Sequence, residues 1–297
     1  MERVDLKLGF DCNNHCLFCV QGDKRLHEKA RPMEQIEADL AEGRERGALE
    51  LVVTGGEPTL QPHLLEVIAL ARRLGYQRVQ VQTNGRRFHY EVFCDAAIAA
   101  GATEFSPSLH GSTAEIHDAL TEAPGSFRQT VRGIEQLVAR RQTVITNSVI
   151  TRTNYQDLPA LARLLVRLGV SQLQLAFVHI LGTAEENASW LVPRKREVMP
   201  FVREALEVAR AAGVRSMTEA IPHCLMAGYE THVAEDVIPD TLIYDAAHTI
   251  DDYGAYRRDE GKKRGPRCGG CRYVARCEGP WKEYPELFGW DEFVPVG

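Results

Sequence analysis

The sequence predicts an α/β fold built on a parallel sheet, and two observations predict it. Six short β-like runs alternate with helical segments through the first 215 residues. The helical segments carry apolar residues at helical spacing, and two of them stop at a glycine. Such β-then-α units connect by right-handed crossovers into parallel sheets. An open doubly wound sheet and a barrel both fit, and both place their sites at the carboxyl ends of the strands.

The strand runs, in order, are VDLKLGF (4–10), LELVVT (49–54), RVQVQT (78–83), TEFSPSL (103–109), TVITNSVI (143–150) and SQLQLAFV (171–178). In the last run Leu173, Leu175 and Phe177 alternate with Gln172 and Gln174, the pattern of a strand with one covered face. Helices are expected at 33–46, 61–74, 90–100, 126–141, 158–168 and 195–212. Leu158, Leu161, Leu165 and Leu168 form one stripe ended by Gly169; Leu64, Ile68 and Ala71 form another ended by Gly75. After residue 215 the alternation stops. The expected division is therefore a core domain, 1–215, and a small domain, 216–297, too short to bury much core without a staple.

Hydrophobic residues make up 44% of the 297 and charged residues 26%, ordinary values for a globular chain. A net charge of −6 gives no global reason to expect nucleic acid or an anionic membrane as partner. The start, MERVDLKLGF, lacks a signal-peptide core, and no run of about 18 apolar residues occurs. A cytoplasmic location is expected. Thiols stay reduced there, so eight cysteines point to metal or redox chemistry.

Cys12, Cys16 and Cys19 follow the first strand with C-x3-C-x2-C spacing, and Phe18 precedes the last. Half a zinc site is one reading, but zinc normally takes C-x2-C pairs and closes four positions. A [4Fe–4S] cube has four iron corners. Three local thiolates leave one iron free for a substrate or cofactor.

The stretch CNNHCLFC resembles the cluster-binding motif of the radical S-adenosylmethionine (SAM) superfamily. TGGEPTL (54–60), at the end of the second strand, resembles that family's methionine-binding turn. The resemblance implies that Thr54, Gly55, Gly56 and Glu57 bind the cofactor, with Glu57 pairing the methionine ammonium. Glycines let a backbone approach a ligand closely, and a carboxylate suits an ammonium. QTNG (82–85) and SLHG (108–111) end the third and fourth strands, so Thr83, Asn84 and Ser108 are further candidates. Asn147 and Val178 stand where ribose and adenine contacts would fall. Two departures are visible: His110 replaces an Asp common in the family, and Thr121 occupies an Arg position. The resemblance covers residues 4–215. It implies a partial (β/α)6 TIM-type barrel followed by a small cluster-binding domain.

The tail supplies Cys224, then Cys268, Cys271 and Cys277 as C-x2-C-x5-C. Four thiolates suit a saturated [4Fe–4S] cluster or structural zinc. The run resembles part of the SPASM and twitch extensions, which implies one auxiliary [4Fe–4S] cluster. Trp281 holds the position where a full SPASM run has another cysteine. The spacing departs from that of the molybdenum-cofactor cyclases, and VPVG lacks their terminal double glycine. Cys94 lies on an apolar helical stripe and is expected in the core. The basic stretch YRRDEGKKRGPR (256–267) reads as a solvated loop or as a site for an anionic substrate or a peptide.

By resemblance, the chemistry is reductive cleavage of SAM to a 5′-deoxyadenosyl radical that takes a hydrogen atom from a substrate. A low-potential electron donor such as flavodoxin or ferredoxin is implied. The first substrate reading is a small polar metabolite, aminosugar-like, undergoing oxidation or epimerisation. The alternative is modification of a ribosomally made peptide, although only about three residues precede the first strand. A reading of another class is a non-enzymatic iron–sulfur or zinc protein. No residue is singled out for proton or hydrogen-atom transfer.

Overall fold

A computed structural model describes residues 1–246 and 248–297. Six strands fall where the alternation puts them: β1 (Arg3–Lys7), β2 (Glu50–Thr54), β3 (Arg78–Thr83), β4 (Glu104–Pro107), β5 (Thr143–Ile150) and β6 (Gln172–Phe177). The helices between them are α1 (Met33–Glu45), α2 (Leu64–Arg73), α3 (Glu91–Ala100), α4 (Ala114–Thr121), α5 (Ser126–Ala139) and α6 (Leu158–Leu168). The long α7 (Lys195–Ala211) follows β6. Leu158, Leu161 and Leu165 are buried as the stripe predicts, and Gly169 ends α6 at φ +79. Helix α4 was not foreseen.

The sheet runs further than the alternation suggested. β7 (Arg215–Glu219) pairs in parallel with β6, and β8 (Thr241–Tyr244) pairs in parallel with β1. β9 (Thr249–Ile250) closes on β8 antiparallel. The order is β7-β6-β5-β4-β3-β2-β1-β8-β9. The expected boundary at 215 therefore cuts through the sheet, and segment 216–297 supplies strands to it. The free edge of β1 needs hydrogen-bond partners, and β8 satisfies them. Trp281, Tyr284 and Phe293 also join the same apolar cluster as the sheet.

Residues paired in register share a face. Val4, Leu6, Leu51, Val53, Val79, Val81, Leu173 and Leu175 are fully buried toward the helices. The other face is polar: Asp5 and Lys7 on β1, Thr54 on β2, Gln80 and Gln82 on β3, Asn147 on β5, Gln174 on β6 and Glu219 on β7. This face is the concave side of a partial barrel. Among the described residues, no helix is long and apolar enough to cross a membrane.

Candidate active site

The cysteine loop leaves β1 and is pinned from three sides. The His15 and Leu17 amides donate to the carbonyls of Thr121 and Leu120. The Thr183 and Gly22 amides donate to the Cys19 carbonyl at 2.9 and 3.3 Å. The Gly56 and Glu57 amides donate to the carbonyls of Gly9 and Asp11 at 2.8 and 2.7 Å. A Cβ at Gly56 would stand 2.3 Å from the Phe10 carbonyl oxygen. One at Gly55, whose φ is +125, would stand 2.2 Å from that of Gly9. The close approach that needs these glycines is thus to the cysteine loop itself.

All three loop thiols are free and partly exposed. Burial pushes the Cys12 thiol up to about 11, with the charges of Glu57 and Cys19 adding to it. Burial also raises Cys16, and the neighbouring Cys19 and Cys12 raise it further. Phe18 is buried and meets the His110 ring edge-on at 4.6 Å. His110, the departure from the family's Asp, accepts from the Val149 amide through Nδ1 at 3.1 Å. Its own amide donates to His117 Nδ1 at 3.0 Å. Thr121, at the Arg position, donates through Oγ1 to the His117 carbonyl, and its own carbonyl accepts from His15.

Glu57 is buried in the turn that follows β2. It is 1% exposed. Oε1 accepts from Thr59 N, Thr59 Oγ1 and Thr83 Oγ1 at 3.0, 2.6 and 2.7 Å, and Oε2 accepts from Asn84 N at 2.6 Å. Three donors converge on Oε1 and one on Oε2, so Oε2 keeps an acceptor place. Glu57 therefore straps the end of β2 to the end of β3. Burial pushes its carboxyl up, and these bonds hold it back. Thr83 is committed to the same strap, while Asn84 Nδ2 donates to Asn13 Oδ1 at 2.6 Å. Thr54 Oγ1 donates to Asp5. The side chain of Val178 is packed in the core. Ser108 and Asn147 keep some exposed surface on the concave face, and Asn147 Oδ1, itself buried, has no partner among the described residues.

The sequence reading missed the polar groups at the gap between β7 and β8. Gln174 Nε2 donates to the Glu219 carboxylate at 2.6 Å. Burial and then Glu235 push the Glu219 carboxyl up, against Lys262 and Arg257. Tyr253 lies near Glu219, Arg257 and Asp5, and burial raises its phenol. Glu219 and Tyr253 both keep some exposed surface. Lys262 Nζ stands 2.6 Å from Glu235 and 2.9 Å from Glu278, and Arg257 pairs with Glu278 at 2.9 Å. The polar alternation in VDLK, RVQVQT and SQLQL was the available signal for this face.

Residues 6–165 match the radical SAM superfamily. The chain belongs to that superfamily. It is 29% identical over 205 residues to the PqqA peptide cyclase of Ruegeria pomeroyi, covering 68% of this chain and 54% of that protein. It is 28% identical over 187 residues to a probable GTP 3′,8-cyclase of Saccharolobus solfataricus, covering 61% and 58%. The chain thus spans little more than half the length of these curated relatives. Among solved structures, SuiB of Streptococcus suis bound to SAM matches with a TM-score of 0.69 at 14% identity, over 94% of this chain and 72% of that one. SuiB bound to its precursor peptide SuiA matches over 93% of this chain with a TM-score of 0.67.

A radical SAM enzyme uses a [4Fe–4S] cluster and SAM, and the loop fits such a cluster. Burial and neighbouring thiols raise Cys12 and Cys16, and such partly buried thiols are costly to ionise unless cations neutralise them. The second cysteine set is also gathered. Cys224, Cys268, Cys271 and Cys277 line one cavity with Pro222, Val274, Pro280 and Phe293. Burial, then the three other thiols, push Cys224 up to about 12. Burial also pushes Cys277 up, but hydrogen bonds from His223 and the Gly279 backbone outweigh it and leave that thiol below its usual value. Cys94 is fully buried, and its Sγ contacts the Phe88 carbonyl at 3.0 Å, so it is a core residue.

Proposed function

We infer that this radical SAM enzyme holds its SAM-binding cluster on Cys12, Cys16 and Cys19 and modifies a residue of a peptide substrate. The likeness to peptide-bound SuiB carries the substrate reading, because it runs through 93% of the chain. The relationship to a PqqA peptide cyclase supports it and reverses the order in which the sequence ranked the substrates. Bound together, cluster and SAM supply a 5′-deoxyadenosyl radical that takes a hydrogen atom. The chain's own residues do the rest. The glycine turn and the Glu57 strap hold the cysteine loop against β2 and β3. Ser108 and Asn147 offer polar contacts on the concave face. Glu219 and Tyr253 offer an acid and a phenol to the substrate or to a proton in transit. Cys224, Cys268, Cys271 and Cys277 hold a second, saturated cluster, which suits a net oxidation by accepting the substrate's electron.

A polar small molecule is the second reading. The probable GTP 3′,8-cyclase relative and the charged concave face favour it. One experiment separates the two. Anaerobically reconstituted protein, SAM and a reductant are given deuterated peptides encoded beside the gene, or deuterated nucleotides and aminosugars. Deuterium in 5′-deoxyadenosine marks the true substrate. No 5′-deoxyadenosine from any mixture, or its undiminished formation after Cys12, Cys16 and Cys19 are all replaced by Ala, would overturn the cluster assignment.

A further inference from the structure

The three residues between Cys12 and Cys16 are Asn13, Asn14 and His15. Different elements hold each of them. The His15 amide donates to the Thr121 carbonyl, and Asn13 Oδ1 accepts from Asn84 Nδ2, just past β3. The remaining hold is Arg86, two residues beyond Asn84, which no sequence motif singled out. Its Nη1 donates to the Asn13 carbonyl and, at 2.7 Å, to Asn14 Oδ1. Its Nε donates to Gln129 Oε1 on α5 at 2.7 Å, which braces the guanidinium from behind. Its own amide donates to Asn84 Oδ1 at 3.0 Å. Arg86 therefore ties the first cysteine loop to the end of β3 and to α5 at once.

Asn14 is the buried member of the three, 4% exposed, and among the described residues Arg86 is the one donor to its Oδ1. A buried amide oxygen left without a donor is costly, so this contact fixes where Asn14 sits. The backbone N–H of the same residue donates to Cys12 Sγ at 3.4 Å. One guanidinium, through one side chain, thus aims an amide at the first thiol of the loop. Its charge has no other use here. The acceptors of Arg86 are two carbonyl-type oxygens on the loop and one amide oxygen on α5, and among the described residues no carboxylate pairs with it. Arginine suits the place, because it stays charged and its donors have fixed directions.

We propose that Arg86 is a positioning residue of this enzyme: by holding Asn14 it keeps an N–H on Cys12 Sγ and a positive charge beside the loop, and so eases reduction of the cluster bound there. The proposal rests on the assignment of the SAM-binding cluster to Cys12, Cys16 and Cys19. Hydrogen bonds to the sulfurs and the surrounding charge set the potential of such a cluster. A cluster that takes up an electron gains one negative charge, which an N–H donor and a cation at its sulfur favour. Arg86 acts through Asn14 rather than on a substrate.

The test is an anaerobic redox titration of the reconstituted full chain, followed by electron paramagnetic resonance. The first site's signal is the one that changes when SAM is added. At a fixed solution potential, the ratio of reduced to oxidised first cluster should be about tenfold lower in Arg86→Gln than in the wild type, the equivalent of one charge-assisted hydrogen bond. Lysine keeps the charge and has three donors, so Arg86→Lys should stay within about threefold of the wild type. Asn14→Ala leaves the guanidinium and the amide in place but cuts the link between them. Its ratio should fall in the same direction as that of Arg86→Gln, and it decides the matter if the Gln variant loads too little iron to titrate. A wild-type ratio in Arg86→Gln or in Asn14→Ala would overturn the proposal, even if either variant were less stable to urea. Absence of any SAM-responsive signal in the wild type would instead overturn the cluster assignment on which it rests.

Discussion

Replacing Glu57 separates a strap from a SAM ligand. Its two oxygens serve two backbone amides, Thr59 N at Oε1 and Asn84 N at Oε2. A Gln side chain of the same shape has one oxygen, so either orientation sets its NH2 against one of these N–H groups. An orphaned buried N–H costs about 1–3 kcal/mol, and the surviving bonds lose charge assistance. Removing a buried charge offsets part of this. Glu57→Gln should therefore destabilise the cluster-free protein by about 1–3 kcal/mol, and Glu57→Ala, which orphans both amides, by about 2–6 kcal/mol. Anaerobic urea unfolding measures both by linear extrapolation. A Gln variant within about 0.5 kcal/mol of wild type, the range of inert surface changes, would refute the strap. If that variant also lost SAM affinity after reconstitution, the carboxylate would be the ammonium ligand that the motif first suggested.

Other outcomes follow from the same geometry. Gly56→Ala should leave a folded protein with sharply reduced iron on the first site, because the new Cβ strikes the Phe10 and Asp11 carbonyls; full iron loading would argue against that contact. The full protein should hold about eight irons, and Cys268→Ala/Cys271→Ala about four. About four irons plus one tightly held zinc in the wild type would replace the auxiliary cluster with a structural zinc site. Burial lowers the His117 pKa from 6.5 to about 4, with Asp118 opposing and Arg86 assisting. Its neutral form contributes stability above pH 6.5 that is lost as pH falls toward 4, worth about 3 kcal/mol. His117→Asn should flatten that part of the apoprotein's stability profile, and an unchanged slope between pH 6.5 and 4 would refute it.

The six strands and most helices were legible because each is a local pattern. So were the two motifs, 12–19 and 54–60, because the residues within each sit within a few positions of one another. Glu57 was legible as a residue of the turn, but its strap was not, since two of its four donors, Thr83 and Asn84, lie 26 and 27 residues away. β7 was missed because RSMTE carries polar residues on both faces, Arg215 and Glu219 on the concave one and Ser216 and Thr218 toward the helices, and so resembles a loop. β8 was missed because four residues, TLIY, carry little period. The basic run 256–267 reads by composition as solvated. Arg257 and Lys262 are instead almost fully buried, because Glu278 and Glu235 reach them from 16 to 27 residues away.

Those buried pairs explain why the tail cannot be separated from the barrel. Lys262 is the shared partner of Glu235, which follows β7, and of Glu278, which follows Cys277. Removing one member would strand an uncompensated buried charge, a loss of about 3–5 kcal/mol. Trp281 lies 5.0 Å from Lys262 Nζ and stacks on His179 at 3.9 Å, just beyond the end of β6. The indole occupies the place where a longer cysteine run would put another thiol, and here it packs the second cysteine loop against a strand end. The stretch from Tyr253 to Trp281 therefore carries a phenol facing the concave side, the ion pairs that seal the gap beside β7, and three of the four tail cysteines. A displacement of the second cysteine loop must disturb Lys262 or Trp281, and through them the wall on which Glu219 stands. The second cysteine set and the concave face of the barrel are in that sense a single mechanical unit.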